Sequence, residues 1–220
     1  TRRSSDLLLA SGVLAKTDLL DTPEFRDRVL TLGFESDIEP LFPRFGEDTV
    51  RTFAKLLALL GPIKIEGSVL DRVSTFSGIA LPPDGVTDLA EAFDQAGLLY
   101  ETESGYRIVP DLLSDHLAFS ACYDSKGRDK TFATRVIQNF DPGDFPRIIR
   151  HLAEAEWQAS RRLPSNDSLM GPVWEWFEAR FRNSSFYERR RQLDQWADIA
   201  HFQPERTIQL AELAMEMTKA

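Results

Sequence analysis

Apolar residues recur every three or four positions along most of this chain, which is the spacing of one face of an α-helix. The clearest case is residues 48–60, where an apolar stripe runs from Val50 through Phe53 and Leu57 to Leu60. A Gly-Pro pair follows this stripe and predicts the end of the helix. The pattern therefore predicts a mainly helical protein.

The remaining helices are predicted in the same way, from apolar spacing together with capping residues and breakers at their ends. They span residues 6–16, 23–33, 69–76, 86–96, 110–121, 132–140, 145–161, 169–181, 186–200 and 205–219. Two prolines and a glycine in residues 39–46 predict a linker or turn, and the Gly- and Pro-rich residues 78–85 predict another turn.

One stretch, Leu98–Leu117, departs from the helical pattern. Its aromatic and β-branched residues favour extended structure on both sides of Gly105, which suits the turn of a β-hairpin. Pro110 and Asp111 then start a helix, because proline lacks an amide hydrogen that the first helical turn would leave unpaired. Helices followed by a hairpin are the outline of a winged helix. We therefore expect a mainly α fold, a winged helix with a small β-hairpin followed by an α-helical, repeat-like array.

The polar segment at residues 124–129 is the best candidate for a domain boundary. We expect a helical lead-in segment at 1–46, a winged-helix domain at 47–123 and a solenoid-like helical array at 130–220. Weak similarity between two Phe-x-Pro helix starts in the array suggests stacked helical hairpins. A single irregular helical bundle is the alternative for this last region.

The composition, with 42% hydrophobic and 28% charged residues, is typical of a chain with a packed core. No apolar run is long enough for a transmembrane helix, and the first residues lack the layout of a signal peptide. A single cysteine, Cys122, fits a reducing compartment, so we expect a cytoplasmic location. Because the chain begins with Thr1 rather than Met, we expect an excised fragment or a processed product.

The sequence carries none of the familiar motifs for catalysis or metal binding. No lysine follows a glycine as a phosphate-binding loop requires, and neither H-E-x-x-H nor G-x-S-x-G occurs. The three histidines, at 116, 151 and 201, lie far apart in sequence. We therefore expect no catalytic residues, no metal site and no cofactor bound by this chain itself.

A winged helix usually reads DNA through the helix that precedes the wing. Here that helix carries Asp88, Glu91 and Asp94 with no lysine or arginine, and the wing tip is acidic too. Carboxylates would be repelled by phosphates, and the net charge of −9 points the same way. We expect a winged helix that packs against protein, with no nucleic-acid or membrane binding. A winged-helix transcription regulator with a helical effector domain is the alternative, and a plain helical scaffold is a third possibility.

The segment YRIVPDLLSDHLA, residues 106–118, resembles the end of the winged-helix domain in STAND-class P-loop ATPases, which are signal-transduction switches. In many of them the wing is followed by a Met-His-Asp motif and two leucines, a pattern onto which residues 109–113 fall. Asp111 matches the aspartate of that motif. Pro110 stands where the family has a histidine that touches the phosphates of ADP, so we expect that contact to be lost or carried elsewhere.

The segment TFAKLLALLGPIKIEGSVLDRVS, residues 52–74, looks like the first winged-helix helices of bacterial STAND proteins, which often serve in antiphage defence or regulation. The resemblance implies a non-catalytic regulatory region that packs on a nucleotide-binding domain and relays the state of a sensor. It implies two partners, an intramolecular ATPase domain and an unknown protein ligand. ATP or ADP would be bound by the parent protein rather than by this chain.

Two sets of residues are candidates for binding. Asp111 could face a nucleotide, and His116 could face a nucleotide or a neighbouring domain. A partly buried structural histidine is the alternative for His116. In the second set, arginines interleave with aromatic residues, an arrangement that could bind a partner, or in which the aromatics form the core and the arginines its solvated rim. These interaction candidates are Trp174, Trp176, Arg180, Arg182, Arg189, Arg190 and Arg191.

Overall fold

The computed structural model describes residues 23–143 and 145–217, so the helix predicted at 6–16 lies outside the described residues. The described part is mainly helical with one small antiparallel hairpin, as predicted. In chain order its elements are α1 (Pro23–Ile38), a 3-10 turn (Glu39–Leu41), α2 (Phe42–Phe45), α3 (Glu47–Leu60), α4 (Gly67–Ser74), α5 (Pro83–Gln95), β1 (Leu99–Thr102), β2 (Gly105–Ile108), α6 (Asp111–Cys122), α7 (Phe132–Asn139), α8 (Arg147–Arg162), α9 (Met170–Asn183), α10 (Phe186–Ala197) and α11 (Pro204–Met217).

The winged helix is built from α3, α4, α5 and the β1–β2 hairpin. The two strands pair with Leu99 opposite Ile108 and Thr102 opposite Gly105, which leaves a two-residue loop. Ile63 adds a third, single-residue strand position. Its amide and carbonyl groups each hydrogen bond to Tyr106 at 2.9 Å. The order helix, strand, helix, helix, strand, strand confirms the predicted winged-helix outline.

Two predicted breaks are wrong. The first helix runs past Gly33 to Ile38, and this extension buries Phe34 and Ile38. Residues 39–45 of the linker predicted at 39–46 are helical, because Pro40 and Pro43 each occupy the first turn of a short helix, where no amide hydrogen bond is needed.

The observed start of α5 differs from the start predicted at residue 86, again because of a proline. It begins at Pro83, within the turn predicted at residues 78–85, and Pro82 is its N-cap residue. Proline is well suited to this first helical position, so here it starts a helix where the sequence pattern indicated a break.

One continuous hydrophobic core runs from Phe34 to Leu213. Helix α6 lies at its centre and packs against α1, α3, α7 and α8, while α8 also contacts α3. From α8 onwards each helix contacts the next along the chain, which is the neighbour-to-neighbour order of a helical array. The division at residues 124–129 stays a prediction. Cys122 is buried in this core, where burial raises the pKa of its thiol to about 12.

Among the described residues, none of the helices combines the length and the apolar character that crossing a membrane would require.

Candidate functional site: a charged cleft beside the wing

A cleft of about 580 Å³ opens between the base of the wing, the start of α6 and one face of α8. Its lining is rich in charged residues drawn from four separate segments of the chain. They are Gly61, Pro62, Arg107, Ile108, Asp111, Ser114, Asp115, Pro146, Arg147, Arg150, His151, Glu154 and Asp198.

The residues that α8 contributes to the cleft follow from the spacing of side chains along a helix. Its buried stripe includes Ile148 and Leu152, which face the core. Residues 147, 150, 151 and 154 have the spacing of a second face, and all four line the cleft. The amphipathic pattern of α8 therefore places a charged surface opposite the wing.

The wing is joined to the start of α6 by an ion pair. The Arg107 guanidinium donates a hydrogen bond of 3.1 Å to the Asp111 carboxylate, and it also lies over the Tyr100 ring, 5.7 Å from its centre. The Nε atom of Arg107 is buried and has no hydrogen-bond partner among the described residues. Asp111, which the sequence singled out, thus lies in the cleft and forms a solvent-exposed ion pair with the wing.

His151 lies deeper, between α8 and the end of α3. Its Nδ1 atom is 2.9 Å from the carbonyl oxygen of Leu59, so Nδ1 carries a hydrogen and donates it. Leu59 belongs to the last turn of α3, where carbonyl groups lack a partner within the helix. Burial lowers the pKa of His151, which favours the neutral imidazole.

Asp115 and Glu154 form an acidic region next to His151. All three also line a smaller void, together with Ala58, Ala118, Ala155 and Gln158. Burial raises the pKa of Asp115, and the nearby charge of Glu154 raises it further, while His151 and Arg150 act against this rise. The inner end of the cleft is therefore acidic and holds an imidazole.

His116, the other residue that the sequence proposed for nucleotide contact, does not line this cleft. Its Nε2 atom is 3.0 Å from the Thr31 hydroxyl and its Nδ1 atom is 3.5 Å from the Asp27 carboxylate, so the ring faces α1. The position fits a partly buried histidine that joins two helices.

The aromatic and basic residues of α9 and α10 lie apart from the cleft. Trp174 and Trp176 are half-buried against the core, and Trp174 packs on the buried Trp196 with ring centres 5.0 Å apart. Arg180 lies over Trp176 and is 3.8 Å from Asp141, while Arg182 pairs with Glu178 at 2.7 Å. Arg190 and Arg191 are exposed and Arg189 is half-buried. Partner binding by this set stays a prediction.

The sequence did not single out most of the residues that line the cleft. Arg107, Asp115, Arg147, Arg150 and Glu154 carry no motif, and only the fold brings them together. The charged face of α8 was a visible signal, but such faces are usually just solvated.

The surface that would read DNA in other winged helices is acidic. Asp88, Glu91 and Asp94 are all exposed on α5, and Asp88 pairs with Arg44. Within residues 23–143 and 145–217 there is no group of three or more histidine, cysteine, aspartate or glutamate side chains that could hold a metal ion.

Comparison with models of protein families, with curated proteins and with solved structures finds no match to this chain.

Proposed function

We propose that this chain is the non-catalytic regulatory and interaction region of a STAND-type signalling ATPase. It packs on a nucleotide-binding domain, which binds ATP or ADP, and it relays the state of a sensor to that domain. The observation that carries the proposal is the junction at Asp111, where the wing ends, α6 begins and Arg107 joins the two.

Helix α6 supports the relay. It starts at the wing and contacts α1, α3 and α8, so it connects the lead-in segment, the winged helix and the array. Buried helices move as units because protein interiors are close-packed. A displacement of the wing can thus be passed to the helical array through α6, and also through α3, which contacts both β2 and α8.

The surface next to the junction supports protein docking. Leu112 is 53% exposed in the first turn of α6 and Tyr100 is 57% exposed on the wing. Apolar side chains surrounded by charged groups are typical of contact surfaces. The exposed carboxylates of α5 support protein packing over DNA reading, because they repel phosphates.

The decisive experiment begins with the coding sequence that flanks the chain, in which we expect a phosphate-binding loop. The nucleotide-binding domain is expressed separately and its affinity for the purified chain is measured by calorimetry. Leu112→Asp should weaken binding at least about tenfold, because a buried unpaired carboxylate costs more than 1.4 kcal/mol. Ile208→Asp, at a position 60% exposed on α11, is the matched control and should bind normally. Absence of the loop, or unchanged binding by Leu112→Asp, contradicts the proposal.

Two measurements on the chain alone complete the test. Calorimetry with ATP should show no binding to the chain. Micromolar affinity would contradict the proposal that the nucleotide is bound by the nucleotide-binding domain alone. A gel shift with random duplex at low salt should also be negative. Strong, salt-sensitive binding would favour the transcription regulator instead.

A further inference from the structure

The charges along the cleft follow an order. Arg147 and Arg150 lie in the first turns of α8, and Glu154 lies at least one turn further on, beside Asp115 and His151. The N-terminal end of a helix also carries a partial positive charge. One end of this face therefore favours an anion, and the other favours a cation or a hydrogen-bond donor.

The groups at the two ends are available to a ligand. Among the described residues, neither Arg147 nor Arg150 forms an ion pair, and neither Asp115 nor Glu154 does. Arg107 is the exception, since its charge is paired with Asp111, but its buried Nε–H still lacks an acceptor.

The cleft as a whole is close to neutral. Three arginines are set against four carboxylates, those of Asp111, Asp115, Glu154 and Asp198. A polyanion such as a nucleoside triphosphate would meet as much repulsion as attraction here. A neutral ligand that carries both charges meets a complementary partner at each end.

We propose that the cleft binds a small zwitterion, a molecule with a carboxylate or phosphate at one end and a protonated amine at the other. The anionic group binds Arg147 and Arg150, and the amine binds Glu154 and Asp115. This proposal does not rest on the proposed docking on a nucleotide-binding domain, although Arg107 and Asp111 border both surfaces.

The size of the ligand follows from the helix. Arg150 and Glu154 are four residues apart and Arg147 and Glu154 seven, so the charged ends are separated by about 6–10 Å at roughly 1.5 Å per residue. The cleft volume of about 580 Å³ lies within the usual range for small-molecule sites. The probe 6-aminohexanoate has charges at a comparable separation and is flexible enough to fit.

The experiment is an NMR titration of the purified chain at low ionic strength with three probes. The first is 6-aminohexanoate, the second hexanoate, which has only the anionic end, and the third hexylamine, which has only the cationic end. We expect saturable shifts at the starts of α6 and α8, and at least about tenfold tighter binding of 6-aminohexanoate than of either half. Equal affinity for whole and halves, or shifts without saturation, would overturn the proposal.

Two variants test which end of the ligand each side of the cleft binds. Arg150→Gln should weaken 6-aminohexanoate and hexanoate about tenfold and leave hexylamine unchanged, whereas Glu154→Gln should weaken 6-aminohexanoate and hexylamine and leave hexanoate unchanged. Arg190→Gln, at an exposed arginine on α10, is the control and should change none of them. If both cleft variants alter the two halves alike, the order of charges is wrong. Should Arg150→Gln lower the melting temperature, Arg147→Gln replaces it as the test of the anionic end.

Discussion

The Nδ1 atom of His151 lies 2.9 Å from the carbonyl oxygen of Leu59. This hydrogen bond joins α8 of the array to the last turn of α3 in the winged helix. It supplies a donor for a carbonyl group that the end of the helix leaves unpaired. The bond lies beside the charged cleft, so it also holds one wall of the cleft against the other.

Replacing His151 with alanine should destabilise the chain by about 1–3 kcal/mol, because the carbonyl group of the buried Leu59 loses its donor. The measurement is the free energy of unfolding from urea denaturation. His201→Ala is the control, since His201 is exposed and makes ring contacts with Trp157 and Phe202. Equal losses in the two variants would show that the bond contributes nothing specific.

Stability should also fall as the pH is lowered through the range in which histidine titrates. Burial lowers the pKa of His151 in the folded chain, so below about 6.5 the unfolded chain takes up the proton first. The contribution of His151 is therefore present above that pH and lost below it. Melting temperatures between pH 7.5 and 5 should show the decline, and His151→Ala should flatten it. An unchanged slope in the variant would contradict this.

Asp115→Asn should raise stability at neutral pH. Burial and Glu154 raise the pKa of this carboxyl, so the folded chain holds its proton more tightly than the unfolded chain does. The penalty of the charged form appears as the pH rises through the folded pKa, and asparagine avoids it. The gain should shrink below about pH 4, where aspartate is protonated in both states. Asp194→Asn, at an exposed position on α10, should show no gain at any pH.

Gly105→Ala and Gly33→Ala should change stability in opposite directions. A Cβ atom at Gly105 would lie 2.2 Å from the backbone of Ile63, and its φ of +112° is one that only glycine adopts readily, so alanine should cost at least about 2 kcal/mol. Gly33 lies inside α1 with open space around the same position, and alanine there should gain about 0.5–1 kcal/mol. Urea denaturation of both variants checks the prediction. Equal effects would mean that the wing does not depend on this close approach.

Trp196→Phe and Trp196→Ala should differ widely. The Trp196 ring is buried 4.5 Å from the centre of Phe177, while its Nε1–H has no hydrogen-bond partner among the described residues. Phenylalanine keeps most of the contact and removes the unpaired donor, so it should cost less than about 1.5 kcal/mol. Alanine leaves a cavity and should cost about 3–5 kcal/mol. Similar losses for both would show that the indole is specifically required.

The ends of the array helices could be predicted to within about three residues. The helix predicted at 132–140 is Phe132–Asn139, and the one predicted at 169–181 is Met170–Asn183. Both follow from apolar spacing, a local property that the chain displays without its tertiary partners. The β-hairpin could be predicted for a similar reason, since its strands are joined by only two residues.

Prolines and glycines were harder to interpret. Pro43 and Pro83 lie in segments that were predicted to be breaks, but both occupy the first turn of a helix. Proline suits the first helical turn and interrupts any later one, so the residue type alone does not tell the two cases apart. Gly33 was predicted to end α1, but the helix continues to Ile38. Burying the Ile38 side chain stabilises the fold by more than a glycine inside a helix destabilises it.

The sequence by itself determined the helices, the hairpin, the acidic α5 and the absence of a catalytic motif. The tertiary structure alone decided that Ile63 pairs with Tyr106, that His151 reaches Leu59, and that one face of α8 meets the wing across a cleft. Local periodicity depends on neighbours in the chain, whereas a cleft depends on which distant segments pack together. The pKa shifts and the ion pairs between distant segments follow from that packing, so they could not be predicted from a single sequence, whereas the burial of apolar helix faces could.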